Sequence, residues 1–129
     1  MRKGIYQLLI HLPKSVHIQV GKKGNFEFPK GYYVYTGSAR SGLKARVNRH
    51  LRKEKKRFWH IDYLLDHASV TQVFLFPDNG MDECSLAKRM LRRPKAEVTV
   101  PKFGSSDCNC QSHLVFFKRL KDVPLKQQS

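Results

Sequence analysis

The 129-residue chain is long enough for one domain with one buried core, and too short for two of ordinary size. No apolar run approaches the ~18–20 residues that a membrane-spanning helix needs, and three cysteines (Cys84, Cys108 and Cys110) are too few and too unevenly placed for a disulfide framework. The 25 Lys and Arg against 10 Asp and Glu leave a net charge of +15, which points to a polyanionic partner, nucleic acid before a membrane surface.

From the N-terminus, residues 5–12 (IYQLLIHL) place Tyr6, Leu8, Ile10 and Leu12 at period 2 and predict a half-buried strand. No signal-peptide pattern precedes it, and a reducing, cytoplasmic setting is the expectation. HIQV (17–20) and NFEF (25–28), joined by Gly21-Lys22-Lys23-Gly24, predict a small hairpin. YYVYT (32–36) predicts a strand with Tyr33 and Tyr35 on one face and Tyr32 and Val34 on the other. Gly42 breaks that pattern, and Leu43, Val47 and Leu51 begin a helical stripe.

A second helix is predicted over 59–68, with Ile61, Leu64, Leu65 and Ala68 toward the core. VTQVFLF (70–76) predicts a strand that Pro77-Asp78-Asn79-Gly80 stops. Residues 82–91 predict a third helix with Leu86, Ala87, Met90 and Leu91 as its apolar face, and SHLVFF (112–117) a last strand. The order implies an α+β fold: a small mixed, mostly antiparallel sheet with helices on its faces and the 13–30 hairpin as an addition. One domain is expected over 1–120, followed by a flexible basic tail over 121–129.

The charge is concentrated. Between Arg40 and Arg57 stand nine cations (Arg40, Lys44, Arg46, Arg49, Arg52, Lys53, Lys55, Lys56 and Arg57) against one acid, Glu54. With almost no acid interleaved, phosphates are the natural source of compensating charge. Arg46 and His50 are one helical turn apart beside the apolar stripe. A guanidinium there presents a fork to phosphate, and an imidazole there exchanges protons near neutrality.

Gly4-Ile5-Tyr6 on the first strand, Tyr35-Thr36-Gly37 on a later one, and then Arg46 and His50 on the next helix together resemble the GIY-YIG nuclease superfamily. The match extends through Ser38-Ala39 and Leu43. The chain as a whole looks like one branch of that superfamily, a small domain of unknown function sometimes fused to an endonuclease III-like glycosylase. The features that carry this likeness are Phe28-Pro29 before Gly31-Tyr32-Tyr33, the run from Trp59 to Leu65, and Phe103-Gly104-Ser105-Ser106-Asp107-Cys108 with Ser112-His113-Leu114. The likeness covers nearly all of 4–117. Tyr6 and Tyr35 are further apart than in typical members because of the extra hairpin, and Ser38 stands where many active members carry a lysine. Arg40 and Lys44 are the nearby cations able to replace it.

The resemblance implies hydrolysis of phosphodiester bonds in nucleic acid, DNA before RNA, with Mg²⁺ or Mn²⁺ bound through Glu83. Arg46 would stabilise the scissile phosphate, and Tyr6 and Tyr35 would hold the water and phosphate. A free tyrosine, with its pKa of ~10, is only about one part in a thousand ionised at pH 7. Tyr6 is therefore a base only if its phenolate is favoured, and otherwise His50 or His60 takes the proton. Cys108, Cys110 and His113 raise zinc as a further possibility, although structural zinc prefers four ligands and two residues between paired cysteines. The alternatives to an endonuclease are a non-catalytic nucleic-acid-binding module of the same fold and an RNA- or ribosome-associated accessory protein.

Overall fold

The computed structural model describes residues 4–39, 60–77, 83–100, 103 and 112–124. Six strands and two helices follow in chain order: β1 (Gly4–Leu12), β2 (Val16–Val20), β3 (Gly24–Phe28), β4 (Gly31–Ala39), α1 (His60–Leu65), β5 (Ser69–Pro77), α2 (Glu83–Leu91) and β6 (Leu114–Phe117). The helix expected from Leu43 to Leu51 lies outside the described residues. The α+β class holds, and every pairing among the described strands is antiparallel.

The main sheet has the order β5-β1-β4-β6, with β2 and β3 forming a separate two-stranded sheet. β1 was expected to be half-buried, but it is buried on both faces, because it is central and both faces of the sheet are covered. Tyr6, Leu8, Ile10 and Leu12 join Tyr33, Tyr35, Ile61 and Leu64 from α1, and Ile18, Val20 and Phe28 from the hairpin, in one core. Leu9 faces the other way, into a second core with Val34, Met90 of α2, Val115, Phe117 and Val123. The strand alternation expected for β4 is what divides Tyr33 and Tyr35 from Val34 between these cores.

α1 is shorter than the 59–68 pattern predicts. The Leu64 carbonyl accepts from the N–H groups of both His67 and Ala68, which ends the helix, and Ser69 already pairs with His11. Ala68 stays buried without being helical. β6 begins two residues later than expected, with the Ser112 hydroxyl accepting from the Leu114 N–H and donating to its carbonyl. A 3-10 turn at Leu120–Asp122 follows β6, and Val123 beyond it is buried.

Two glycines are dictated by close approach. Gly31 holds φ +147°, and a Cβ there would stand 2.6 Å from Phe116 Cε1. Gly37 lies within β4 as the register partner of Tyr6. Its service is spatial: a Cβ would stand 2.8 Å from Tyr6 Cε2 and closer still to the phenol end of the ring.

Candidate functional site

Register places Tyr6 near one end of the sheet. Gly4, at the start of β1, pairs with both Ala39 at the end of β4 and Pro77 at the end of β5. Tyr6 therefore lies two residues inside the end at which the chain leaves for the 40–57 cationic stretch, and again for the segment that leads to Glu83. Arg40, Lys44, Arg46, Arg49, His50, Arg52, Lys53, Lys55, Lys56 and Arg57 themselves lie outside the described residues. Glu83 opens α2, and its side chain is outside the described part.

The tyrosines are together. Alternation on antiparallel neighbours puts Tyr6 and Tyr35 on the same face, with ring centroids 6.3 Å apart and planes at 43°. Tyr6 is almost wholly buried, and Tyr35 is buried at 7% exposure, so neither ring is a surface group. The glycine opposite Tyr6 lets its ring lie against β4 with no side chain between.

Phe103 joins the tyrosines to the third described candidate. Its ring makes an edge contact with Tyr35 at 6.3 Å and a tilted contact with His60 at 5.5 Å. It also meets Phe28 of the hairpin at 6.2 Å. The Phe103 carbonyl accepts from the His113 N–H at 2.8 Å, and the His113 carbonyl accepts from the Thr36 N–H at 3.0 Å. This fixes the segment beside Thr36, the residue between Tyr35 and Gly37. Sequence periodicity gave Phe103 no part, since it belongs to no helix or strand; only its place in the FGSSDC stretch singled it out.

His60 opens α1 and is half-buried. Desolvation lowers its pKa below the ordinary 6.5, and the Lys23 ammonium, delivered by the hairpin turn, pushes the same way. His60 is therefore a neutral imidazole at pH 7, able to accept a proton. Lys23 is a neighbour that sequence reasoning missed, because the hairpin's position over α1 is a tertiary fact. Gly21 in the same turn lies against Tyr63 of α1, whose hydroxyl would be 3.2 Å from an added Cβ.

Below the tyrosine face, Gln7 and Thr36 are also buried, and the Gln7 side-chain amide donates to the Thr36 hydroxyl at 3.1 Å. Alternation places this pair on the α2-covered face, where it satisfies two polar groups that have little access to water.

Among the described residues, no group of three His, Cys, Asp or Glu stands ready to hold a metal. Mg²⁺ and Mn²⁺ ask for less, since Mg²⁺ commonly takes one or two carboxylates and fills its remaining positions with water and phosphate oxygens. A carboxylate such as that of Glu83 is an oxygen donor of the hard type such an ion takes. Of the zinc candidates, Cys108 and Cys110 lie outside the described residues, and His113 is buried just before β6.

Among the described residues, no helix is long and apolar enough to cross a membrane. Compared with known proteins, the chain matches no curated protein and no solved structure. A family model described as a domain of unknown function, DUF123, matches residues 5–128, nearly the whole length, and the chain belongs to that family.

Proposed function

We propose that the protein is a metal-dependent endonuclease of the GIY-YIG type that hydrolyses DNA phosphodiester bonds, with structure-selective cleavage in repair or recombination as its setting in the cytoplasm. The observation that carries this reading is the Tyr6–Tyr35 pair over Gly37, at the sheet end from which both the 40–57 cations and the Glu83 helix depart. Two phenols, joined in this reading by the Arg46 guanidinium and the Glu83 carboxylate, would suit a phosphodiester better than an uncharged substrate.

In this reading Arg46 grips the scissile phosphate through its fork. A Mg²⁺ or Mn²⁺ held by the Glu83 carboxylate would neutralise charge building on the phosphate. The Tyr6 hydroxyl, held against Gly37, orients the attacking water, and Tyr35 fixes the Tyr6 ring from the side. The proton passes to His50 or to His60, the latter kept neutral by burial. The cations from Arg40 to Arg57 track the backbone of the bound strand.

The test is cleavage of branched, flapped, nicked and linear DNA with Mg²⁺ or Mn²⁺, comparing wild type with Arg46→Ala and Glu83→Ala. Loss of nicking in both variants is the expected result. Equal nicking by all three proteins would trace the activity to a contaminant and sink the assignment. Binding without cleavage of any substrate would favour the second reading, a nucleic-acid-binding module of the same fold.

A further inference from the structure

A basic surface lies on the α2-covered side of the sheet, opposite the tyrosines. The stretch from Lys88 to Lys95 carries Lys88, Arg89, Arg92, Arg93 and Lys95 with no acid among them, and residues 118–121 add Lys118, Arg119 and Lys121. All eight are exposed. Two features of the fold bring these segments together. α2 packs on β4 and β6 with Leu86, Ala87 and Met90 buried, which turns Lys88 and Arg89 outward. The chain then returns along β6: Glu97 and Phe116 exchange backbone hydrogen bonds at 3.0 and 2.8 Å in an antiparallel bridge. Phe116 faces the tyrosine core and Phe117 the α2 core, so alternation turns Arg119, rather than Lys118, toward α2. Antiparallel register from the bridge sets Lys95 level with Lys118 along the sheet edge, beside the exposed Glu97.

The turn that does this is strained at a cation. Lys95 holds φ +69°, in the left-handed region that is unfavourable for a residue with a side chain and that glycine occupies freely. A lysine at a position that suits glycine trades stability for charge. Like charges in excess on one surface repel one another, and a bound polyanion relieves that repulsion.

We propose that this α2–β6 surface binds the phosphate backbone of a second duplex arm of a branched DNA, while the first arm lies at the tyrosine site on the opposite face. Duplex DNA suits the surface better than a membrane. An interfacial helix inserts its apolar face into lipid, and the apolar face of α2 is already spent on the core. The proposal rests on the nuclease reading for its choice of DNA as the polyanion and for the place of the first arm. It is tested without metal, so cleavage plays no part in the outcome.

The experiment measures binding of a four-way junction and of a linear duplex across a salt series in EDTA. It compares wild type with an Arg92→Gln, Arg93→Gln, Lys118→Gln, Arg119→Gln variant, and checks that the variant's thermal midpoint is retained. Junction affinity is expected to fall about tenfold or more, with little change on linear duplex. The salt slope should fall by about one unit for each phosphate that the variant no longer neutralises. Unchanged junction affinity and slope would overturn the proposal, as would an equal loss on both DNAs. Loss of binding to phosphatidylserine vesicles with DNA binding intact would make the surface a membrane contact and overturn it as well. A second variant separates charge from folding: Lys95→Gly should raise the thermal midpoint while weakening junction binding. A lower midpoint, or junction binding unchanged, counts against the role given to Lys95.

Discussion

The Tyr6 ring occupies the space in which a Cβ of Gly37 would stand. The two residues are register partners on β1 and β4, so the contact is built into the strand pairing.

Gly37→Ala is therefore expected to destabilise the fold by about 1–3 kcal/mol, the usual cost of forcing extra volume into a packed core. The ring cannot swing into solvent to relieve the clash, because Tyr6 is buried between the strands and the first core. Urea unfolding checks the cost. Cleavage measured under conditions where the variant is still folded checks whether the displaced hydroxyl also lowers activity.

Phe103 holds Tyr35, Phe28 and His60 through one ring. Phe103→Ala should cost about 3–5 kcal/mol, the range for removing a buried aromatic. Phe103→Leu, which keeps much of the volume, should cost clearly less. Denaturant midpoints of the two variants check the order.

The buried Gln7–Thr36 pair supports a double-mutant cycle. Thr36→Val or Gln7→Leu alone leaves one polar group unsatisfied and should cost about 1–3 kcal/mol. The double variant should cost less than the sum of the two, because neither partner is then stranded. Additive losses in equilibrium unfolding would mean that the hydrogen bond has no share in stability.

His60 sets a pH dependence of known sign. Its folded pKa is lowered, so the folded state binds the proton more weakly than the unfolded state. The stability linked to His60 is present above the ordinary value of 6.5 and is lost as the pH falls through the depressed folded value. Thermal midpoints below pH 6.5 should fall more steeply in wild type than in His60→Gln. Replacing Lys23 by Gln should raise the His60 pKa, which NMR titration of the imidazole reads directly.

Much of this framework could be read from residue order. Alternation in 32–36 assigned Tyr33 and Tyr35 to one core and Val34 to the other, because the two-residue period is local. The apolar face of α2 was equally local. What escaped was tertiary. Leu9 and Gln7 gave no sign of the second buried face of β1, since only its neighbours make it central. The spacing of Ile61, Leu64, Leu65 and Ala68 continues a helix that pairing of Ser69 with His11 cuts short. The Tyr6–Tyr35 pair was legible through its motifs, but Phe103 and Lys23 reach that neighbourhood by long-range folding alone.

The hairpin that lengthens the path from Tyr6 to Tyr35 departs and returns at the other end of the sheet, where Leu12 pairs with Gly31. That pair closes the β1–β4 ladder before the detour begins, so the number of residues in the detour has no leverage on the spacing of the tyrosines. An evolving chain could acquire, enlarge or redecorate the hairpin while the phenols stayed where they were. Whatever else the hairpin does, the turn between its strands already sets the charge beside His60 through Lys23.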